Sequence, residues 1–105
     1  MSYGYVCLAS ESGKPVGMCG FYANDVARRR AYISVIGILK EYRRRGIAQK
    51  LLDISLDLCL EKGMKRCDLY THKTNSDAIS FYYRSGFTAS TDPGRPEDIL
   101  FSKEL

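Results

Sequence analysis

The sequence predicts an α/β sandwich built around a mixed sheet. Three observations carry that reading. The stretch AYISVIGIL, residues 31–39, is apolar on both alternating faces, as expected of a central strand covered on two sides. Shortly after it, from Gly46 to Lys62, the apolar period changes to that of a helix. In chain order the elements read strand, strand, strand, helix, strand, helix, strand, strand, which closes into layers around one sheet.

Residues 3–9, YGYVCLA, read as the first strand, ESGKP (11–15) as a turn, and VGMCGFYA (16–23) as the returning strand of a hairpin. NDVARRR is polar and basic and suits a surface connection. Within 31–39, Gly37 stands out, because a strand glycine weakens the ladder and marks a bulge or the close approach of a backbone or ligand. On the first helix, Ile47, Leu51, Ile54 and Leu58 form one apolar row, and Ala48, Leu52, Ser55 and Cys59 form the row beside it. Lys50, Asp53, Asp57 and Glu61 lie opposite. Gly63 suits the left-handed residue that ends a helix. RCDLYTH (66–72) reads as a strand and NSDAISFYYRSGF (75–87) as a short second helix, capped by Asn75 or Ser76 and ended by Gly86. A strand from about Phe87, a loop TDPGRP and a final strand DILFSKEL follow. No repeat, low-complexity stretch or linker interrupts this order, so residues 1–105 read as a single domain.

Composition narrows the function classes. The hydrophobic fraction is 45% and the charged fraction 27%, an ordinary soluble profile. No apolar run approaches the roughly 18 residues of a membrane helix, and the N-terminus lacks the pattern of a signal peptide. No membrane partner and a cytoplasmic location are therefore expected. Cys7, Cys19, Cys59 and Cys67 show no C-x-x-C spacing, and with one histidine in the chain they read as free thiols and not as a zinc site. The net charge is +4, with arginines clustered at 28–30 and 43–45. Such clusters bind nucleic acid, phosphate or an acidic partner, or are plain solvated surface.

The second cluster is the informative one. EYRRRGIAQKLLD sets Arg43, Arg44 and Arg45 at a helix start, where unpaired N–H groups and the helix dipole are already positive. The pattern R-x-x-G-x-A, Arg43 to Ala48, gives a diphosphate several N–H donors with little side-chain obstruction. It is neither G-x-x-x-x-G-K-[ST] nor G-x-G-x-x-G, so those nucleotide fingerprints are absent.

ISVIGILKEYRRRGIAQKLL resembles the acetyl-CoA-binding motif of the GNAT superfamily of N-acetyltransferases, in which a strand leads through [RQ]-x-x-G-x-[GA] into a helix. LYTHKTNSDAISFYYRSGF is similar to that family's second motif, with Asn75, Ala78, Tyr82, Gly86 and Phe87 in register. The resemblance runs from about residue 3 to the end and is sharpest over 31–87. It implies a mostly antiparallel sheet with helices packed on it and two splayed parallel strands, the GNAT-like acyl-CoA N-acyltransferase fold. It also implies acetyl-CoA as cosubstrate and transfer of the acetyl group to a primary amine of unknown identity. The pantetheine arm would pair with backbone at Gly37 and Ile38. The diphosphate would sit on the N–H groups of Arg44, Arg45, Gly46, Ile47, Ala48 and Gln49, beside Arg43. Asn75 would hold the cofactor arm or the opened strand end, and the Ile38 N–H would polarise the thioester carbonyl. Tyr82 would protonate the departing thiolate. Helical spacing by itself does not choose Tyr82 over Tyr83.

The general base stays open between His72, Tyr70 and a water held by Tyr32, Ser34 or Tyr70. Typical relatives carry a strand and two helices ahead of the first strand read here. Without them the acceptor side is open or completed by another chain, and a homodimer is the expected assembly. Two other function classes remain: a non-catalytic acyl-CoA-binding or sensing module, and a nucleic-acid-binding domain using both arginine clusters. The seating of one cluster at a glycine-containing helix start favours a compact diphosphate over nucleic acid.

Overall fold

The computed structural model describes residues 4–105. β1 (Gly4–Glu11) and β2 (Lys14–Asp25) form the expected hairpin. Its turn is only Ser12 and Gly13, at φ of 51° and 78°, which gives the twist that a two-residue hairpin loop needs. Tyr3, the expected first residue of that hairpin, lies outside the described residues. β2 runs longer than its polarity suggests: Asp25 still pairs with Arg30, so residues 26–29 alone make the turn into β3 (Arg30–Ile38). A 3-10 turn over Lys40–Tyr42, which the sequence reading did not include, leads to α1 (Ile47–Glu61). β4 (Arg66–His72), α2 (Ser76–Arg84), β5 (Thr88–Ser90) and β6 (Asp98–Glu104) complete the chain. Asn75 caps α2, its side chain accepting from the Ala78 N–H at 3.3 Å.

The sheet order is β1-β2-β3-β4-β6-β5, antiparallel except where β3 meets β4. Residues of both helices share one core with one face of this sheet. Leu51, Leu52, Leu56 and Cys59 of α1 and Tyr82 of α2 join Cys19, Phe21, Ile33, Leu69 and Phe101. Each fully buried leucine or phenylalanine of this set contributes about 1.5–3 kcal/mol. The helix is rotated from the expected rows. Ile54 is 53% exposed, whereas Leu56 is buried, because small Ser55 and Cys59 face inward and let the helix seat closely on β2. All four cysteines are free, and burial pushes the Cys59 thiol up to about 11, which leaves it unreactive.

Two features of the sheet prepare a site. β3 and β4 pair only from Arg30–Arg66 to Tyr32–Asp68, while the far edge of β4 stays paired with β6 along its whole length. From Ile33 and Leu69 onward the two parallel strands therefore face each other with free backbone. The second feature is a bulge. Gly20 pairs with Val35 while Phe21 pairs with Ile33, so Ser34 is the extra residue, and its hydroxyl donates to the Gly20 carbonyl at 3.2 Å. The bulge is thus at Ser34 and not at Gly37. A Cβ at Gly37 would meet nothing within 4 Å, whereas one at Gly20 would lie 3.1 Å from Val35 Cγ1.

Candidate active site

Where the strands part, a cleft of about 790 Å³ opens between β3, β4 and the inner side of α2. Of the residues singled out from the sequence, Gly37, Ile38, Arg43, Arg44, Ala48, Asn75 and Tyr82 all line it. The bend before α1 forms one end. Arg44 and Gly46 there take positive φ, 65° and 79°. Alternating such a conformation with ordinary ones turns successive N–H groups to one side. Gly46 is needed for that conformation and not for clearance, since a Cβ there would meet nothing within 4 Å. No side chain caps α1 and no acidic residue lies in its first turn. Among the described residues, no N–H from Arg44 through Gln49 has an acceptor in the chain, the first inward bond being Lys50 N–H to the Gly46 carbonyl at 3.1 Å. Ready donors with no partner make this end an anion site in waiting.

The three arginines divide. Arg43 and Arg44 line the cleft, and Arg43 Nε donates to the Ile38 carbonyl at 3.1 Å. Arg45 turns to the other side, 3.7 Å from Glu11 and stacked over the Tyr42 ring at 4.9 Å. With Ile47 it lines a separate groove against β1, so neither side chain enters the main cleft, although both backbones lie on the bend. Gln49 likewise uses its side chain elsewhere: Nε2 donates to Asp53 at 2.9 Å and Oε1 accepts from Ser85 at 3.2 Å.

Along β3 the amides alternate. Leu39 N–H donates to the Val16 carbonyl at 2.9 Å, so Leu39 and Gly37 face β2 and Ile38 turns both its N–H and C=O toward the cleft. Ile38 has the free amide expected of it. The amide of Gly37 does not, being engaged on the β2 side.

Tyr82 is 5% exposed and held by Phe81, Phe87 and Phe101, with ring centroids 5.2, 5.6 and 5.5 Å away. Burial pushes its phenol well above the ordinary value. Tyr83 is 55% exposed, packs its ring on Phe101 and does not line the cleft. Aromatic packing thus sets Tyr82, and not Tyr83, in the wall of the cleft. Asn75 spends its carbonyl oxygen on the Ala78 cap, which leaves its NH₂ group for the cleft.

On the β4 wall, Tyr70 is tied to groups outside the cleft that the sequence reading left unlinked. Tyr70 donates to Asp92 at 2.6 Å, the Arg95 guanidinium lies 3.7 Å over the Tyr70 ring, and Tyr32 packs 6.1 Å away. The bond to Asp92 raises the Tyr70 phenol and lowers the Asp92 carboxyl, which keeps the proton on tyrosine. Asp92 and Arg95 come from the loop after β5, and no local signal ties that loop to β4. His72 lines the cleft, but its Nδ1 is engaged within its own turn, 2.7 Å from the Thr74 hydroxyl and 3.3 Å from the Thr74 N–H.

Known proteins resemble this chain in sequence and in fold. The sequence pattern of the Acetyltransferase (GNAT) family matches residues 2–87. N-alpha-acetyltransferase 30 of Schizosaccharomyces pombe is 47% identical over 58 residues, 55% of this chain and 39% of that protein. Spermidine N(1)-acetyltransferase of Thermoplasma acidophilum is 29% identical over 83% of this chain and 53% of its own length. The chain spans about half the length of these curated relatives. Among solved structures, the PaiA N-acetyltransferase of T. acidophilum in complex with coenzyme A superposes with a TM-score of 0.86 at 25% identity, covering 97% of this chain and 61% of that one. A GNAT acetyltransferase of Staphylococcus aureus gives 0.87 at 25% identity, covering 99% and 69%.

Proposed function

The chain belongs to the acetyltransferase (GNAT) family, and from that premise we propose that it binds acetyl-CoA in the cleft and transfers the acetyl group to a primary amine. One observation carries the reading: the partnerless N–H groups from Arg44 through Gln49 open onto a cleft that continues between the parted strands to Tyr82. A diphosphate satisfies the amides, with Arg43 and Arg44 adding charge-assisted bonds worth about 1.5–3 kcal/mol each. The gap between β3 and β4 accepts an amide-bearing arm as a strand would be accepted, through Ile38 and the Asn75 NH₂ group. The Ile38 N–H polarises the thioester carbonyl, and the amine attacks its carbon.

As the C–S bond breaks, the Tyr82 hydroxyl gives its proton to sulfur. Burial makes Tyr82 a weak acid in the free chain, but a thiolate formed in the same water-poor cleft is raised too, so the mismatch stays modest. The amine's proton leaves to solvent through a water held by Tyr70 or Tyr32. A second reading is favoured by one observation: of the groups expected as base, Tyr70 keeps its proton in its bond to Asp92, and Nδ1 of His72 is engaged by Thr74. In that reading the chain binds acyl-CoA without turnover. Exposed Val6 and Leu8 on β1 support assembly with a second copy. The free thiols support residence in a reducing compartment such as the cytoplasm.

Acetyl transfer by Tyr82→Phe and Tyr83→Phe variants, measured on a panel of amines, tests the enzyme. Tyr82→Phe should lower turnover by roughly 10²–10⁴ with acetyl-CoA affinity unchanged, and Tyr83→Phe should keep it. Acetyl-CoA binding by the wild-type chain without transfer to any amine would leave the sensing module standing.

A further inference from the structure

Resting on the reading of the cleft as an acyl-CoA site, we propose that Arg84 recognises the 3′-phosphate on the CoA ribose, so that the protein distinguishes CoA from 3′-dephospho-CoA. Arg84 closes α2, is exposed, and lines the same cleft as Arg43 and Arg44. Its position follows from its neighbour. The Ser85 hydroxyl is shared between the Phe81 carbonyl at 2.8 Å and Gln49 Oε1 at 3.2 Å. Gln49 lies in the first turn of α1, so the C-terminal end of α2 rests against the end of the cleft where the free amides are. Arg84 therefore belongs to the anion end of the cleft and not to the acyl end.

Charge matching points the same way. The diphosphate is met by the amides of the bend with Arg43 and Arg44. A 3′-phosphate adds roughly two further negative charges at neutral pH and needs a cation of its own. Among the described residues Arg84 makes no ion pair, and Asp77, the acidic group that lines the cleft from the same helix, stands two turns back. A guanidinium forks onto a phosphate with two parallel N–H bonds, which a lone ammonium does not reproduce. An arginine in the last turn of a helix also complements the dipole. That role alone would affect stability without sensing the ribose.

The test is calorimetric titration of CoA and 3′-dephospho-CoA, at low salt, into the wild-type chain and into Arg84→Gln and Arg84→Lys, with thermal melts as a folding control. The wild-type chain should prefer CoA by about tenfold, the worth of one charge-assisted pair. Arg84→Gln should bind both forms alike, at the wild-type affinity for the dephospho form, and Arg84→Lys should fall between. Equal wild-type binding of the two forms, or an Arg84→Gln variant weakened equally for both, overturns the assignment while leaving the acyl-CoA reading intact. Failure of the wild-type chain to bind either form overturns the reading on which it rests.

Discussion

Arg28–Arg30 and Arg43–Arg45 are the same tripeptide, and each forms part of a bend next to β3, yet the fold uses them oppositely. At the first bend the chain satisfies itself. Asp25 accepts from the Arg28 N–H at 3.2 Å, and the Arg29 carbonyl accepts from Lys65 at 2.7 Å and Arg66 at 3.3 Å. Arg30 reaches Asp25 at 3.6 Å and Asp68 at 3.7 Å. At the second bend Arg43 N–H donates to the Lys40 carbonyl at 3.4 Å, but among the described residues the amides from Arg44 through Gln49 have no acceptor, the first turn of α1 holds no carboxylate, and a cleft opens beside it. Positive charge is common to both bends. Unpaired donors facing a cavity distinguish the second, and that is what an anion reads.

Ala48→Glu should erase the difference most completely. Position 48 has ordinary helical geometry and lines the cleft, so the new carboxylate occupies the anion's place without backbone strain. Loss of about two charge-assisted bonds predicts acetyl-CoA affinity at least about a hundredfold weaker by calorimetry. Gly46 is a poorer probe, because any side chain at its φ of 79° adds strain of its own. Next in size, Arg43→Gln and Arg44→Gln should each weaken binding by roughly tenfold to a hundredfold. Arg28→Gln and Arg29→Gln should leave it within about twofold, and so should Arg45→Gln, whose charge already faces Glu11.

The smallest effect is on stability. Asp68 is buried; burial alone would raise its carboxyl, but the Arg66 fork at 2.8 Å and nearby Arg30 hold it below the usual range. Such a lowered group stabilises the fold above its unfolded value, about pH 4, and that contribution is lost as pH falls through the folded value. Arg30→Gln should cost about 1 kcal/mol at neutral pH, discounted because the Arg30 side chain is 38% exposed. Thermal melts should show the gap between variant and wild type closing below about pH 4, once Asp68 is protonated.

The order of elements along the chain, both helices and the basic bend were legible in the sequence because each has a local signature: apolar alternation, helical period, and Gly-bounded termini. The expected cover on both faces of residues 31–39 was not borne out, since both helices pack on one face and Val35 and Leu39 stay exposed on the other. What was illegible is set by partners distant in the chain. The bulge at Ser34 depends on the register against Gly20, so Gly37 looked like the irregular position. Arg45 is turned aside by Glu11, and Tyr70 is tied to Asp92, through contacts no spacing encodes. Ile54 fits an apolar row but stays exposed because Ser55 and Cys59 seat the helix on its other side. That Tyr82 lines the cleft and Tyr83 does not follows from packing against Phe81, Phe87 and Phe101, which lie partly outside the helix.

Amide chemical-shift mapping during titration with acetyl-CoA addresses the contrast between the two bends residue by residue. The N–H signals of Arg44 through Gln49, having no acceptor in the free chain, should move farthest and gain protection from solvent exchange, with Ile38 following. Signals of Arg28, Arg29 and Arg30 should stay in place. Saturable binding that shifts the first arginine bend and leaves Arg44 through Gln49 unmoved would contradict the account.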